Sequence, residues 1–538
     1  MYIGNGNTPQ GLLATARPLQ YVHGKLAVSA LGITYLHGSF VKYFSQLLVG
    51  TALVLSGLSP SVVTAAEEPV SVEPGQEEIS EDPAAPLDSE QGVNSDDGGQ
   101  FVFGSYGRTQ FELDPGGNRS SAPLIVHPGP RLLQEDYVEL DFLYHMESEG
   151  GLESSVVLTM ALFGPFAHYD GDFDDQSLAV RNLYAEFGGI SDALDGLNLW
   201  VGSRMYRGDD VYLLDTWPLD ELNTVGGGAS YQTGGLEARV HAGVNRLDDP
   251  FQWQAVDRPA QPVGATSQVI LDRQRFLSSG RLEYVMDDLV GDLGAKAVAY
   301  GEYHRVPEGQ RVPDQFLDNQ TPTEPFADVL ETLPADRGFV LGTQLGLFKS
   351  GTANHLNLFF RLARGLAAYG ELGIPMTTAP DGTAMGAQRF STALSGNWES
   401  RHVGVMAGTH LSRFTNPHRD VDGLDEGLEA TAVLRPVYFV SDHFHQALEI
   451  SYQHRYPFAA NPETGAHHTP TVWQLSVLEI LSLGRGNFER PQLRLGYTVA
   501  FSNEDAQRTF PVGDERRPGS VEHVISLGAE WWFNSSTY

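Results

Sequence analysis

From Phe101 to Phe533 the chain is built of runs of roughly ten residues in which apolar and polar side chains alternate. In the first run Phe101, Phe103, Phe111 and Leu113 share one parity, and Tyr106, Arg108, Gln110 and Glu112 share the other. In the second, Val138, Leu140, Phe142 and Tyr144 oppose Tyr137, Glu139, Asp141 and His145. Toward the end Leu493, Leu495, Tyr497, Val499 and Phe501 oppose Gln492, Arg494 and Thr498. The last run sets Ile525, Leu527, Ala529, Trp531 and Phe533 against Ser526, Gly528, Glu530 and Trp532. A period of two predicts strands with one wet and one apolar face. Stretches rich in Gly, Asp, Asn and Pro separate the runs, and no helical periodicity is sustained. The chain is predicted to be all-β.

A soluble sandwich would show the same alternation, so the choice of a membrane barrel rests on three further features. Aromatic residues cap the apolar face near the run ends, as at Phe101, Phe111, Tyr144, Phe501 and Phe533, which suits the girdles at the two membrane interfaces. An apolar leader would carry the chain out of the cytoplasm. The final strand closes near the chain end on Trp531, Trp532 and Phe533. Lipid requires every backbone polar group to be paired, which a closed antiparallel barrel achieves without helices. Dividing the region into strands, short turns and long loops predicts roughly 16–18 strands, enough to leave an aqueous lumen.

Residues 1–66 read as a signal-peptide region. FSQLLVGTALVLSGLSPSVVTAA follows Lys42 and ends in small residues before Glu67, with cleavage expected after Ala65 or Ala66. The long stretch ahead of it fits a start codon assigned too far upstream. Residues 67–100 carry 11 acidic and no basic residues, and their Pro/Gly/Ser-rich composition predicts an acidic disordered segment. The barrel domain is expected over 101–538.

The chain holds 34 Lys plus Arg against 68 Asp plus Glu, a formal balance of −34 that argues against nucleic-acid partners. After residue 60 the only lysines are Lys296 and Lys349, so the remaining cations are arginines, suited to fixed hydrogen-bonding geometry. With no Cys, disulfides and thiolate chemistry are excluded. The acidic clusters Asp170–Asp175 and Asp420–Glu426 do not follow a calcium-loop pattern and read as solvated loops. His467 and His468 are adjacent in sequence, so on a strand they would face opposite ways. No nucleophile signature is present. Neither a metal, a cofactor nor an enzymatic activity is expected.

Several segments resemble the maltoporin (sugar porin) family, whose members are eighteen-stranded trimeric barrels. FVFGSYGRTQFEL resembles that family's first strand and EDYVELDF its second. AVRNLYAEF and LWVGSRMYRGDDVYLLDTWPLDELNTVGGG resemble the stretch entering its inward-folded third loop. ALEISYQH, GNFERPQLRLGYTVAF and LGAEWWF resemble its last strands in order and spacing. The resemblance implies an aromatic slide at Tyr106, Tyr137, Phe173, Phe488 and Trp532, with Phe173 and Phe488 standing where the family has Trp. It implies a polar track at Arg108, Arg131, Glu139, Arg181 and Asp215. Trp217 takes the place of a constriction tyrosine, and an arginine of the family's third loop aligns with Gly208, beside Arg207. The first-loop disulfide of some relatives has no counterpart.

On such a slide the C–H face of a sugar ring lies on an aromatic face while its hydroxyls bond to charged side chains. Many weak contacts then replace one deep well, as conduction requires. The expected function is passive, sugar-selective diffusion of a maltodextrin or related sugar through a homotrimer in the outer membrane of a Gram-negative bacterium, with outer-membrane lipid around it. The alternative is a general or cation-biased porin. A barrel receptor or enzyme is the third reading.

Overall fold

The computed structural model describes residues 93–94 and 99–535, except 119, 135, 165–176, 246–253, 256–268, 271–272, 312–330, 376, 419–425, 461–464, 511–512 and 514–516. The predicted alternation becomes eighteen barrel strands. They are β1 (Gly99–Leu113), β2 (Tyr137–Glu147), β3 (Glu153–Phe163), β4 (Ser177–Gly188), β5 (Leu197–Arg207) and β6 (Glu221–Thr233). There follow β7 (Leu236–Asn245), β8 (Arg275–Val290), β9 (Leu293–Val306), β10 (Asp336–Lys349), β11 (His355–Gly365) and β12 (Gln388–Glu399). The last six are β13 (Val403–Thr415), β14 (Gly427–Phe439), β15 (Phe444–Pro457), β16 (Thr471–Ser482), β17 (Gln492–Ser502) and β18 (Val521–Phe533).

Each strand pairs antiparallel with its neighbours in sequence, and β18 returns to β1 in a register that runs from Ser105 opposite Phe533 to Leu113 opposite Ile525. Closure leaves no open sheet edge in the lipid. Below Ser105 the edge of β1 continues past the end of β18, and there Val93 and Asn94 pair with Phe101 and Gln100. The connections alternate. Those after even-numbered strands are short, as at Gly234–Gly235 and 291–292, and those after odd-numbered strands are long, as at 114–136 and 366–387. Short periplasmic turns and long external loops are the bacterial outer-membrane arrangement.

The two faces differ as the alternation predicts. Leu178, Val201, Val240, Leu341, Leu475 and Leu527 stand on the outer face, well exposed and available to lipid. The expected girdle residues Phe101, Phe111, Phe501 and Phe533 are exposed among them. The inner face holds Glu139, Asp141, Thr159, Gln344, Glu449, Gln453 and Glu530, all buried against other inner side chains. One local irregularity matters. A register shift between Thr159 and Met160 lets both Arg181 and Asn182 of β4 make interior contacts.

The loop 208–220 after β5 folds inward, as the resemblance implied. Val211, Tyr212, Leu213, Leu214 and Leu219 form one buried cluster with Val298 and Tyr300 of β9, Val340 of β10, Phe359 of β11, Ala393 of β12, Met406 of β13 and Val433 of β14. An apolar loop segment in a polar lumen needs an apolar landing site, and this sector of inner wall supplies it. The loop is therefore held by hydrophobic burial on one side and by polar groups on the other.

Candidate functional site

The inward loop sets the site's geometry. Val211 N–H donates to Thr216 C=O at 2.8 Å, which closes a tight 3₁₀ turn at Tyr212–Leu214. Asp215 follows in the left-handed region with φ 50° and ψ 52°. That conformation is uncommon outside Gly, Asn and Asp, and it places the Asp215 carboxylate between two guanidiniums. Arg108 Nη1 of β1 lies 2.8 Å from Asp215 Oδ2, and Arg131 Nη1 of the first loop lies 2.9 Å from Oδ1. Arg131 Nη2 continues to Glu530 Oε1 of β18 at 2.9 Å, and Arg490 Nη2 reaches Glu530 Oε2 at 2.8 Å. Arg494 of β17 and the Tyr212 hydroxyl, at 2.6 Å for the latter, donate to the same carboxylate. The result is a continuous chain of ion pairs from β1 through the loop to β17 and β18.

Rings run alongside it. Tyr106 and Tyr137 are tilted neighbours with centroids 5.7 Å apart. Tyr212 meets Phe488 at 5.5 Å and Trp532 at 6.1 Å, each edge to face. Guanidiniums lie over several of these rings: Arg131 over Tyr212 at 4.5 Å, Arg108 over Tyr137 at 5.4 Å and Arg490 over Trp532 at 3.9 Å. Tyr106 is 1% exposed, and its hydroxyl accepts from Arg108 at 3.1 Å and from Arg131. Phe488 and Trp532 are half-buried against the loop cluster.

The expected polar-track residues divide. Arg108, Arg131 and Asp215 belong to the central chain. Glu139 is buried beside them, accepts from the Tyr137 hydroxyl and lies 3.7 Å from Arg181 Nε. Arg181 Nη2 also donates to Met205 Sδ at 3.1 Å. Arg207 pairs with Glu221 at 3.1 Å and stacks over Trp217 with its guanidinium carbon 3.6 Å from the ring centroid, so this face of Trp217 meets a cation. Phe173 and the clusters Asp170–Asp175 and Asp420–Asp425 lie outside the described residues. His467 stacks on Tyr456, whereas His468 Nδ1 lies 2.7 Å from Asp505.

Sequence reasoning missed several participants. Glu530 and Arg494 were on the wet parity, which placed them inside without naming their partners. Tyr212 and Arg490 gave no periodic signal because both sit off the strands. Gly208, aligned with a family arginine, has its own explanation: a Cβ there would collide with the Arg281 guanidinium and the Asp220 carboxylate. Arg281, from β8, bonds Asp220 at 2.6 Å. A guanidinium thus occupies this corner from a distant strand.

Three loop carboxylates differ in their environment. Burial would raise Asp215, but Arg131 and Arg108 outweigh it and hold the carboxyl at about 2. Burial likewise opposes Asp209, which Lys296 at 2.8 Å, together with Arg281, holds at about 2. Asp210 is pushed up to about 7 by burial, with Arg131 and Arg207 opposing and Asp215 and Asp209 reinforcing the shift. A folded-state value above the ordinary 3.8 means the native protein holds an extra proton between those limits. The contribution of Asp210 to stability should therefore fall as pH rises from about 4 through about 7. In thermal unfolding from pH 5 to 8, the difference between the parent and Asp210→Asn should show this slope, with Glu371, which burial also lifts to about 7, contributing equally to both proteins. An unaltered slope would count against the assignment.

The sequence was compared with known proteins. The LamB porin family model matches residues 101–533. No curated protein matches the sequence. Among solved structures, the outer membrane channel DcaP of Acinetobacter baumannii is 9% identical, with 82% of this chain and 99% of that chain covered and a TM-score of 0.42. OccAB1 of Acinetobacter baumannii is 9% identical over 83% and 99%, with a TM-score of 0.40. OprD of Pseudomonas aeruginosa is 10% identical over 84% and 98%, with a TM-score of 0.37. The family match spans most of the chain and coincides with the closed barrel and its inward loop. The chain belongs to the LamB porin family, and it is a Gram-negative outer-membrane β-barrel channel for passive diffusion.

Proposed function

We propose that the channel is selective for sugars, which move past the inward loop along the half-buried rings of Tyr137, Phe488 and Trp532, with the buried Tyr106 backing Tyr137 and with Phe173 as the further slide member expected from the sequence. The observation that carries this reading is the interleaving of rings and fixed charges at the loop, where Trp532 and Phe488 flank Tyr212 beside the Arg108–Asp215–Arg131–Glu530 chain. A pyranose has an apolar C–H face and a rim of hydroxyls, and this mixture of surfaces matches both. Arg108, Arg181, Arg207 and Asp215 would supply the polar contacts, held in place by the buried Arg131 and Glu139, with Trp217 and its Arg207 partner beside the entrance to the loop. The functional unit is taken as a homotrimer surrounded by outer-membrane lipid, and no cofactor is required.

The test is single-channel current in a planar bilayer, titrated with maltose and longer linear maltodextrins. Saturable block is expected. Trp532→Ala should raise the half-blocking concentration about tenfold, equivalent to some 1.4 kcal/mol of lost ring contact, while the barrel still folds. A steady current that no sugar perturbs would favour the general-porin alternative. Block that is insensitive to Trp532→Ala would remove Trp532 from the path.

A further inference from the structure

We infer that the channel prefers anions, and that the solute it selects bears a carboxylate or phosphate group recognised by interior arginines. The inference deepens the sugar reading by naming a charged sugar, but its ionic half stands without that reading.

Two sectors of the inner wall carry it. In the first, the guanidiniums of Arg108, Arg131, Arg490 and Arg494 converge on the carboxylates of Asp215 and Glu530. Asp210 and Asp209 lie behind them in the loop, and Asp209 is already matched to Lys296. Arg494 spends Nε and Nη2 on Gln492, Tyr212 and Glu530, yet Nη1 has no partner among the described residues and the side chain remains 13% exposed. A donor pair is thus presented to the lumen at the constriction.

The second sector lies on β11 and β12. Arg389 sits at the start of β12, just after the long loop 366–387, on the inward parity with Ser391 and Ala393. Its Nε donates to Ser412 at 3.0 Å, and among the described residues it makes no ion pair. Glu429 of β14 acts on it only at a distance and is paired with Arg455 at 3.4 Å. Its diagonal neighbour Arg361 reaches one acid, Glu302, at 3.7 Å. That carboxylate already accepts from Tyr300 at 2.8 Å and contacts His304 at 2.7 Å. His410 and Ser412 complete the patch and add no negative charge.

A cation inside a low-dielectric wall without a matching anion projects its field into the lumen and raises the local concentration of anions. Guanidinium is also the side chain best shaped for a bidentate grip on carboxylate or phosphate. The chain's overall balance of −34, of which −26 falls in residues 101–538 (57 Asp plus Glu against 31 Lys plus Arg), does not by itself decide the selectivity, because it includes exposed turn and loop acids such as Asp292, Asp442 and Glu504. What matters is the charge along the path. An entry arginine on β12 and a constriction arginine on β17 would pass an anionic group inward in two stages.

The experiment is the reversal potential of the channel in a planar bilayer under a KCl gradient, for the full chain and for Arg389→Gln and Arg494→Gln. Chloride should permeate better than potassium, and each variant should lower the permeability ratio. In the same bilayer, gluconate and glucose 6-phosphate should block at concentrations about tenfold below that for glucose, one charge-assisted contact being worth about that factor. A preference for potassium, a chloride preference that neither variant lowers, or equal block by charged and neutral sugars overturns the inference. Chloride preference with no block by any sugar would instead overturn the sugar reading and leave the anion path standing.

Discussion

Glu530→Gln is expected to be the most damaging single substitution in the barrel. One carboxylate, with side-chain exposure of 2%, receives Arg131, Arg490 and Arg494 together with the Tyr212 hydroxyl. Arg131 and Arg490 are themselves 2% and 1% exposed, so no water compensates them when the charge is removed. Leaving a buried charge without its partner costs about 3–5 kcal/mol. The first loop (through Arg131), the inward loop (through Tyr212) and the turn before β17 (through Arg490) all converge on this oxygen pair, so the loss should reach all three. The temperature at which the folded barrel loses its heat-resistant mobility in detergent should drop markedly, and the open-channel current should become noisy. A melting temperature matching the parent's would show that the cluster is held by something other than Glu530.

The second large effect is steric and lies across the lumen. Gly408 on β13 faces inward, and a Cβ there would sit 3.0 Å from Val211 Cγ1 and 3.2 Å from Leu213 Cβ. The missing side chain is what lets the turn Tyr212–Leu214 settle on the apolar wall. Gly408→Ala asks neighbours to yield by a few tenths of an ångström and should be mild. Gly408→Leu must push the turn away, at about 1–3 kcal/mol for overpacking, and with it move Asp215 from Arg108 and Arg131. Single-channel records of Gly408→Leu should show altered conductance and rapid fluctuation, and the graded Ala and Leu pair separates a displaced loop from general misfolding. Steady parental conductance in Gly408→Leu would mean that the loop is not seated on this wall.

The two substitutions test opposite supports of one loop. Its polar side is anchored through ion pairs whose worth depends on burial and mutual geometry. Its apolar side is anchored by contacts that depend only on shape and area. A constriction fixed from both sides keeps a defined aperture, and that is a precondition for discrimination between solutes of similar size.

How far the sequence could be read follows from these same residues. The alternation of Phe101 with Val102, or of Leu527 with Ser526, determined the all-β class and the two faces, because a strand places successive side chains on opposite sides whatever its surroundings. The Gly and Asp stretches between runs determined where strands end, and the lipid's demand for paired backbone turned a set of strands into a closed barrel. Parity also placed Glu530, Arg494 and Trp532 inside. It could not say what they would meet there. Arg131 and Glu530 are separated by 399 positions and Tyr212 and Glu530 by 318, and neither pair is linked by any local periodicity. Gly208 reads as a lost arginine until β8 brings Arg281 against it, and Gly408 reads as one small residue among many until the inward loop lands on it. Local chemistry acts along the strand, so the sequence by itself determined the barrel and its faces. Charge pairing and steric fit act across the lumen, so only the tertiary structure decided the constriction.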